Sequence, residues 1–404
     1  MIMDKENTKQ FKHTELKLYD PKWSSDLATT IIELEKLRVK RLGGPVPPHV
    51  FFQLKEIFQL FESLGSARIE GNRTTLMEFV EKVIENPSRA TADESMKEIF
   101  NLEDVIDFIE KNIKKTTIFD RALISEIHRI IVKDLTPPPG GEGSHYPGAL
   151  RPVDVSITGS PHVPPKSIKV PEYFEELMTF VNASVSSKYH LLITALAHHR
   201  MAWIHPFDNG NGRFVRMFTY ALLIKQGFQV KTGRILNPTA IFCMDRAKYY
   251  EMLAVADTGD EVKVLEWCEY VLNGLRKEIE KIDKLLNLEY ITDTILIPAL
   301  RYSLERKSIN NQEHAVLSCV VKTKDMTIKS LDIKAALNEA SPVQRSRIIK
   351  RLKDKEMLVP TKGNKSRKYT IQFRNNYLLR DVVRALEENG FVPEFLNRKS
   401  EDGV

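Results

Sequence analysis

HPFDNGNGRFVR, residues His205 to Arg216, decides how this chain is organised. The apolar run before it, YHLLITALAHHRMAWI, has the three- and four-residue spacing of a buried helix. Pro206 restricts the residue before it and ends that helix. A second helix is expected to begin after Gly212, which makes the quoted stretch a helix-loop-helix junction. Gly210, Asn211 and Gly212 let the backbone approach a ligand closely, and the first amides of the following helix point at it, so the junction is an anion site. Arg213 and Arg216, three apart on one helix face, can grip a polyphosphate with forked donors. His205 stands at the mouth, where a neutral imidazole can take a proton from a hydroxyl.

Outward from this junction the pattern is helical from about Leu27 to Leu275. One stretch breaks it. TPPPGGEGSHYPGALRPVDVSITGSPHVPPKS, Thr136 to Ser167, has too many prolines for a helix and reads as a flap. Within it Val153 to Thr158 alternates like a strand, and a small β-hairpin is expected. VLEWCEYVLNGLRKEIEKIDKLL, Val264 to Leu286, reads as one long amphipathic connector helix. Beyond it, TIKSLDIKAALN, a Ser341-Pro342 helix start, VQRSRIIKRLKDKEML and LVPTKGNKSRKYTIQF read as helix, helix and strand pair, with a basic turn from Lys362 to Arg367. That order resembles a winged helix-turn-helix.

The net charge of +6 is unevenly placed: Lys322 to Arg380 holds sixteen Lys or Arg against five Asp or Glu. This asymmetry points to an anionic partner at the C-terminal end, with nucleic acid and a protein-docking role both left open. Arg345, Arg347, Lys350, Arg351 and Lys353 crowd the second helix of that unit, and Lys362, Lys365, Arg367 and Lys368 crowd its turn. Cys243, Cys268 and Cys319 are too scattered for a disulfide framework, and no apolar run approaches the length of a membrane helix. A cytoplasmic protein without membrane contact is expected. The end NRKSEDGV reads as loose.

The whole string is more restrictive than a glycine-rich turn. It resembles the signature of the Fic family: His, Pro, Phe, any residue, Asp or Glu, Gly, Asn, Gly or Lys, Arg, two residues, Arg. Asp245-Arg-Ala-Lys-Tyr-Tyr-Glu-Met-Leu253 is similar to the family's adenine-pocket segment and brings in Tyr249 and Tyr250. The resemblance implies a protein adenylyltransferase that moves AMP from ATP onto a Tyr, Ser or Thr hydroxyl of an unknown target protein. His205 would be the base, Gly210, Asn211 and Gly212 the anion hole, and Arg213 and Arg216 the phosphate clamps, while the flap pairs with the target as an added strand. It also implies Mg²⁺, but Asn209 stands where the family has its acidic metal ligand and Asp208 lies one place earlier, so weak metal binding and low turnover are expected. The alternative is a nucleotide-binding, DNA-associated regulator with little or no transferase activity.

Ser66-Ala-Arg-Ile-Glu-Gly-Asn72, after FFQLKEIFQLFESLG, is similar to the family's inhibitory helix, which implies that Glu70 pairs with Arg216 and holds the site off. His198 and His199 lack metal-site spacing and are expected in structural or orienting roles, while Trp203 and Trp267 are expected in the core. The fold expected is mainly α: an N-terminal helical segment with the inhibitory helix (1–115), a Fic core with a β-hairpin flap (116–275), a helical connector (276–310) and a winged-helix domain (311–404). A homodimer is compatible with the sequence and not decided by it.

Overall fold

The computed structural model describes residues 10–39, 46–85, 89–228, 235–363 and 366–397. Lys365 of the basic turn, most of the loose C-terminal end and the first nine residues lie outside them. The described residues form helices and one small sheet. The N-terminal part holds α1 (Asp26–Val39), α2 (Pro48–Ile69), α3 (Leu76–Glu85) and α4 (Glu94–Asn112). After them come α5 (Arg121–Ile131), α6 (Val170–Asn182), α7 (His190–Ile204), α8 (Asn211–Lys225), α9 (Thr239–Met244) and α10 (Arg246–Ala256). Then α11 (Glu261–Asp283) leads to α12 (Leu288–Tyr290), whose π-helical continuation runs into α13 (Ile297–Glu305).

Burial explains the sequence pattern of the central pair. Helix α7 is apolar almost all round because nearly every residue of it is buried, including Trp203 and, across from it on α11, Trp267. The Trp267 indole N–H donates to the Ala195 carbonyl at 2.7 Å, which satisfies its one donor. His198, also fully buried, lies between Thr219 (2.7 Å) and the Tyr249 hydroxyl (2.9 Å). Since Thr219 donates to the Val215 carbonyl, Nδ1 of His198 donates to Thr219 and Nε2 accepts from Tyr249. His199 faces Asp257 at 2.9 Å. Both histidines are thus structural, as expected. Helix α2 lies across α4, α8 and α9, and one continuous apolar cluster extends from Leu27 to Leu396.

The C-terminal part runs α14 (Asn311–Lys322), β1 (Thr327–Lys329), a turn region, α15 (Pro342–Asp354), β2 (Leu358–Pro360), β3 (Lys368–Ile371) and α16 (Leu378–Glu388). The sheet is antiparallel in the order β1-β3-β2. Ser341 begins α15 with a capping box to Gln344, and Pro342 takes the first turn, where no amide is needed. The expected first helix over 327–338 is replaced by β1 and one 3-10 turn, Ala335–Leu337, because Asn338 and Glu339 adopt positive φ and stop it.

The flap differs from expectation too. Residues 154–157 take no regular secondary structure and pair with no strand among the described residues. Pro152, Pro161, Pro164 and Pro165 remove the donors a two-stranded ladder would need, and a turn from Ile157 to Ser160, with Gly159 at φ +75°, reverses the chain alone. The three cysteines are free, Cys243 and Cys268 buried. No described helix is long and apolar enough to cross a membrane.

Glu62 on α2 is wholly buried, and burial pushes its carboxyl from 4.5 to about 8, although it accepts from the Thr239 amide at 2.9 Å. The native state therefore keeps a proton that the unfolded chain releases above its lower value. Glu62 stabilises the fold fully in acid and progressively less as pH rises toward about 8. Urea melts should show wild-type stability falling relative to Glu62→Gln between about pH 5 and about pH 8, whereas parallel curves would exclude a protonated Glu62.

Candidate functional site

The junction expected between two helices is present, with α7 ending at Ile204 and α8 starting at Asn211, two residues earlier than the spacing suggested. His205 caps α7 in the left-handed region (φ 50°), and Gly210 takes φ +75° to start α8. A non-glycine residue rarely holds such a backbone unless its surroundings fix it. Here they do. The Arg151 amide donates to the Pro206 carbonyl at 2.8 Å, and its guanidinium Nε donates to the His205 carbonyl at 2.8 Å. The same guanidinium reaches the Val153 carbonyl (2.9 Å) and the Pro165 carbonyl, so one buried side chain clasps both arms of the flap to the turn carrying His205.

Two further residues shape the loop. His128 on α5 stacks on Phe207 at 3.7 Å, accepts the Gly148 amide at Nδ1 (2.9 Å) and so donates from Nε2 to the Asn209 carbonyl (3.0 Å). Burial holds it neutral, down at about 4. Asn211 staples the loop to itself: its Oδ1 accepts the Phe207 amide (2.9 Å) and its Nδ2 donates to the Phe207 carbonyl (2.8 Å). The Asn211 side chain therefore does not reach toward an anion. What remains for one is the helix start, where the amides of Asn211, Gly212 and Arg213 have no acceptor in their own helix.

Arg216 is 1% exposed and is held entirely by the last turn of α2. Its Nε donates to Ser66 Oγ at 2.9 Å, and its Nη2 donates to the Ser66 carbonyl and to Glu70 Oε1, both at 2.8 Å. Gly71 (φ +110°) ends α2 immediately after Glu70. The Glu70 carboxylate also presses on the start of α8: a Cβ at Gly212 would lie 2.1 Å from Glu70 Oε1. Burial raises the Glu70 carboxyl, but the charge and hydrogen bond of Arg216, with Arg213 and Arg246 behind, outweigh it and leave it below its ordinary value. Arg213 is wholly buried, with Glu98 of α4 at 2.9 Å and Glu142 of the flap at 3.2 Å. Glu98 in turn accepts from Asn72 at 2.7 Å, which ties the end of α2 to α4.

His205 is neutral, pushed down to about 4 by burial, with the positive charge of Arg151 adding to it. Tyr249 is 2% exposed and engaged with His198, so it is core; Tyr250, one residue on and about 100° around the helix, is 43% exposed beneath Arg246. Of the two tyrosines only Tyr250 is free to meet a ligand. Asn209 bridges the loop and the flap, donating to the Gly143 carbonyl and accepting the Gly210 amide (2.9 and 2.8 Å). Asp208 accepts from Ser144 Oγ and the His145 amide, so it anchors the flap. A cavity of about 300 Å³ lined by Lys55, Glu56, Glu103, Asp107, Glu110 and Arg374 shares no residue with the loop.

The Fic/DOC family profile matches residues 118–223, the span from just before α5 into α8. That span is similar to a Fic/DOC family domain. Over 204 residues it is 30% identical to a protein adenylyltransferase Fic of Nematostella vectensis, covering 48% of this chain and 42% of that protein. A protein of the same name from Drosophila willistoni is 29% identical over 206 residues, covering 50% and 37%. The chain spans less than half the length of these curated relatives. Among solved structures, a Fic family protein from Desulfovibrio desulfuricans superposes with a TM-score of 0.52 at 18% identity, covering 88% of this chain and 98% of that one. A Fic domain containing signaling protein from Bacteroides thetaiotaomicron gives 0.50 at 16% identity, covering 65% and 97%. At these identities the likeness concerns the Fic fold.

Arg151, His128 and Glu98 shape this loop and its arginines and carried no signal in the sequence, since a lone Arg, His or Glu has no spacing to betray it. Arg151→Lys replaces a fork reaching three carbonyls by a single ammonium. Loss of about 1–3 kcal/mol is expected, read as a lower melting temperature. An unchanged melting temperature would show that the clasp contributes nothing.

Proposed function

We propose that the Fic domain transfers AMP from ATP to a hydroxyl side chain of another protein, and that Glu70 holds this activity off. The observation that carries the reading is the position of Glu70: a carboxylate already sits on the start of α8 and pairs with Arg216, which is how an anion site accepts an anion. An ATP phosphate entering there must displace or be repelled by that charge. The names of the relatives agree with this activity.

In this mechanism His205, neutral at physiological pH, takes the proton of the target hydroxyl as its oxygen bonds to the α-phosphorus. The bond from that phosphorus to the bridging oxygen breaks, and pyrophosphate leaves with its charge held by Arg213, Arg216 and the first α8 amides. Tyr250 is the ring placed to meet the adenine. Residues 154–157, which pair with no strand among the described residues, would be the segment that receives the target chain, so the flap needs no hairpin of its own. Magnesium does not fit at Asn209: the amide is engaged by the Gly143 carbonyl of the flap and the Gly210 amide, and both Asp208 oxygens are engaged. Magnesium would then enter with the triphosphate. The free cysteines suit a reducing, cytoplasmic setting.

Glu70→Gly should raise labelling from α-labelled ATP by on the order of tenfold or more, the value of a weak ion pair. Adding His205→Ala should abolish it while ATP still binds. Asn209 favours one rival, a nucleotide-binding regulator with little turnover; tight ATP binding by Glu70→Gly with no protein label would establish that rival instead. Because His205 titrates near 4, labelling by Glu70→Gly should stay flat from about pH 8 to about pH 5. An acid limb near pH 6.5 would contradict the neutral imidazole.

A further inference from the structure

The basic residues of the C-terminal unit lie outside the loop that carries His205. They divide into two sets. One set is engaged within the molecule. Arg345, though on α15, turns inward and donates to the Ala340 carbonyl at 2.6 Å. Lys355 pairs with Glu313 at 2.8 Å, Lys368 with Asp325 at 2.5 Å, and Arg380 with Glu81 of α3. Arg374 faces Glu56 and Glu103 of the N-terminal helices at 3.6 and 3.7 Å. The back of the sheet also docks inward, Gln53 of α2 accepting the Phe373 amide (2.7 Å) and donating to the Ile371 carbonyl (3.1 Å).

The other set faces solvent together. Ile348, Ile349 and Leu352 bury one side of α15, which forces Val343, Ser346, Arg347, Lys350 and Lys353 outward at helical spacing. Lys362 and Arg367, on the turn between β2 and β3, are exposed as well. Among the described residues none of Arg347, Lys350, Lys353, Lys362 and Arg367 has an ion-pair partner. On the outer side of α15 the one acid is Asp354.

We propose that this face binds duplex DNA, with α15 in the major groove and the β2–β3 turn on the adjoining phosphates, as in a winged helix. Five uncompensated cations on a helix and a neighbouring turn match a regular array of phosphates. A helix of roughly 10–12 Å diameter fits a groove of about 12 Å. The first turn of α15 presents the small side chains of Val343 and Ser346, which permit close approach, with Arg347 behind them able to donate in a fork to a base edge. A protein-docking surface would present a wider apolar centre.

The test is fluorescence anisotropy of a labelled random-sequence duplex with the full chain. With about five phosphates neutralised, affinity should fall roughly 500-fold between about 50 and about 200 mM salt. The exposed pair Arg347→Glu with Lys350→Glu should weaken binding more than tenfold at the lower salt and flatten the salt slope by about 2. Lys169→Glu with Lys263→Glu, the same charge change on the Fic side, should leave it within about twofold if the face itself is read. His205→Ala should bind DNA as the wild type does, which separates this surface from the transferase reading. No binding at low salt by protein of normal melting temperature overturns the proposal and leaves the face to a protein partner; so does equal weakening by the two pairs.

Discussion

A guanidinium cannot be left bare inside a protein, and Arg216 is almost fully buried. Its hydrogen-bond partners come from one turn of α2, through Ser66 and Glu70. The N-terminal helices are therefore part of the domain's interior rather than an appendage, and the apolar cluster that includes α2, α7 and α8 is continuous for the same reason. Removing α2 would expose a buried cation and a large apolar face together. The charge that would occupy the anion site is also the charge that lets the site fold without its anion.

The loop between α7 and α8 is fixed by contacts that use backbone groups almost throughout. Arg151 reaches carbonyls, His128 reaches an amide and a carbonyl, and Asn211 takes both backbone groups of Phe207. Such contacts hold the path of the chain, and the first α8 amides are left without an acceptor in their own helix. Carboxylates were placed differently. Asp208 is drawn to the flap, and Glu98 and Glu142 to Arg213, so the acidic groups nearest the loop serve its architecture.

Much of this was legible because local chemistry forces it. Pro206 had to end a helix, Ser341-Pro342 had to begin one, and two arginines three apart had to share a face. The pairing of Glu70 with Arg216 could be expected only through family likeness, since the two lie 146 residues apart. The misjudged parts depend on tertiary context. The flap alternates like a strand, yet its prolines leave it unpaired; Asn211 sits in an anion-binding motif, yet its side chain turns back on Phe207. Of two adjacent tyrosines, the sequence shows that they diverge but not which one the core takes. Arg345 counted as a surface cation until the helix phase turned it inward.

Helix α2 connects the two regions of charge. Near its start Gln53 holds the β3 segment of the C-terminal unit, and at its end Ser66 and Glu70 hold Arg216. Twenty-two helical residues make a rod of roughly 33 Å, and such a helix, buried along most of its length, moves as a body or not at all. Separating the C-terminal unit from α2 would expose the Gln53 amide and the apolar surface around it, at the same helix whose other end must stay seated for Arg216 to stay paired. The seating of the C-terminal unit and the occupation of the anion site are thus conditions on one element.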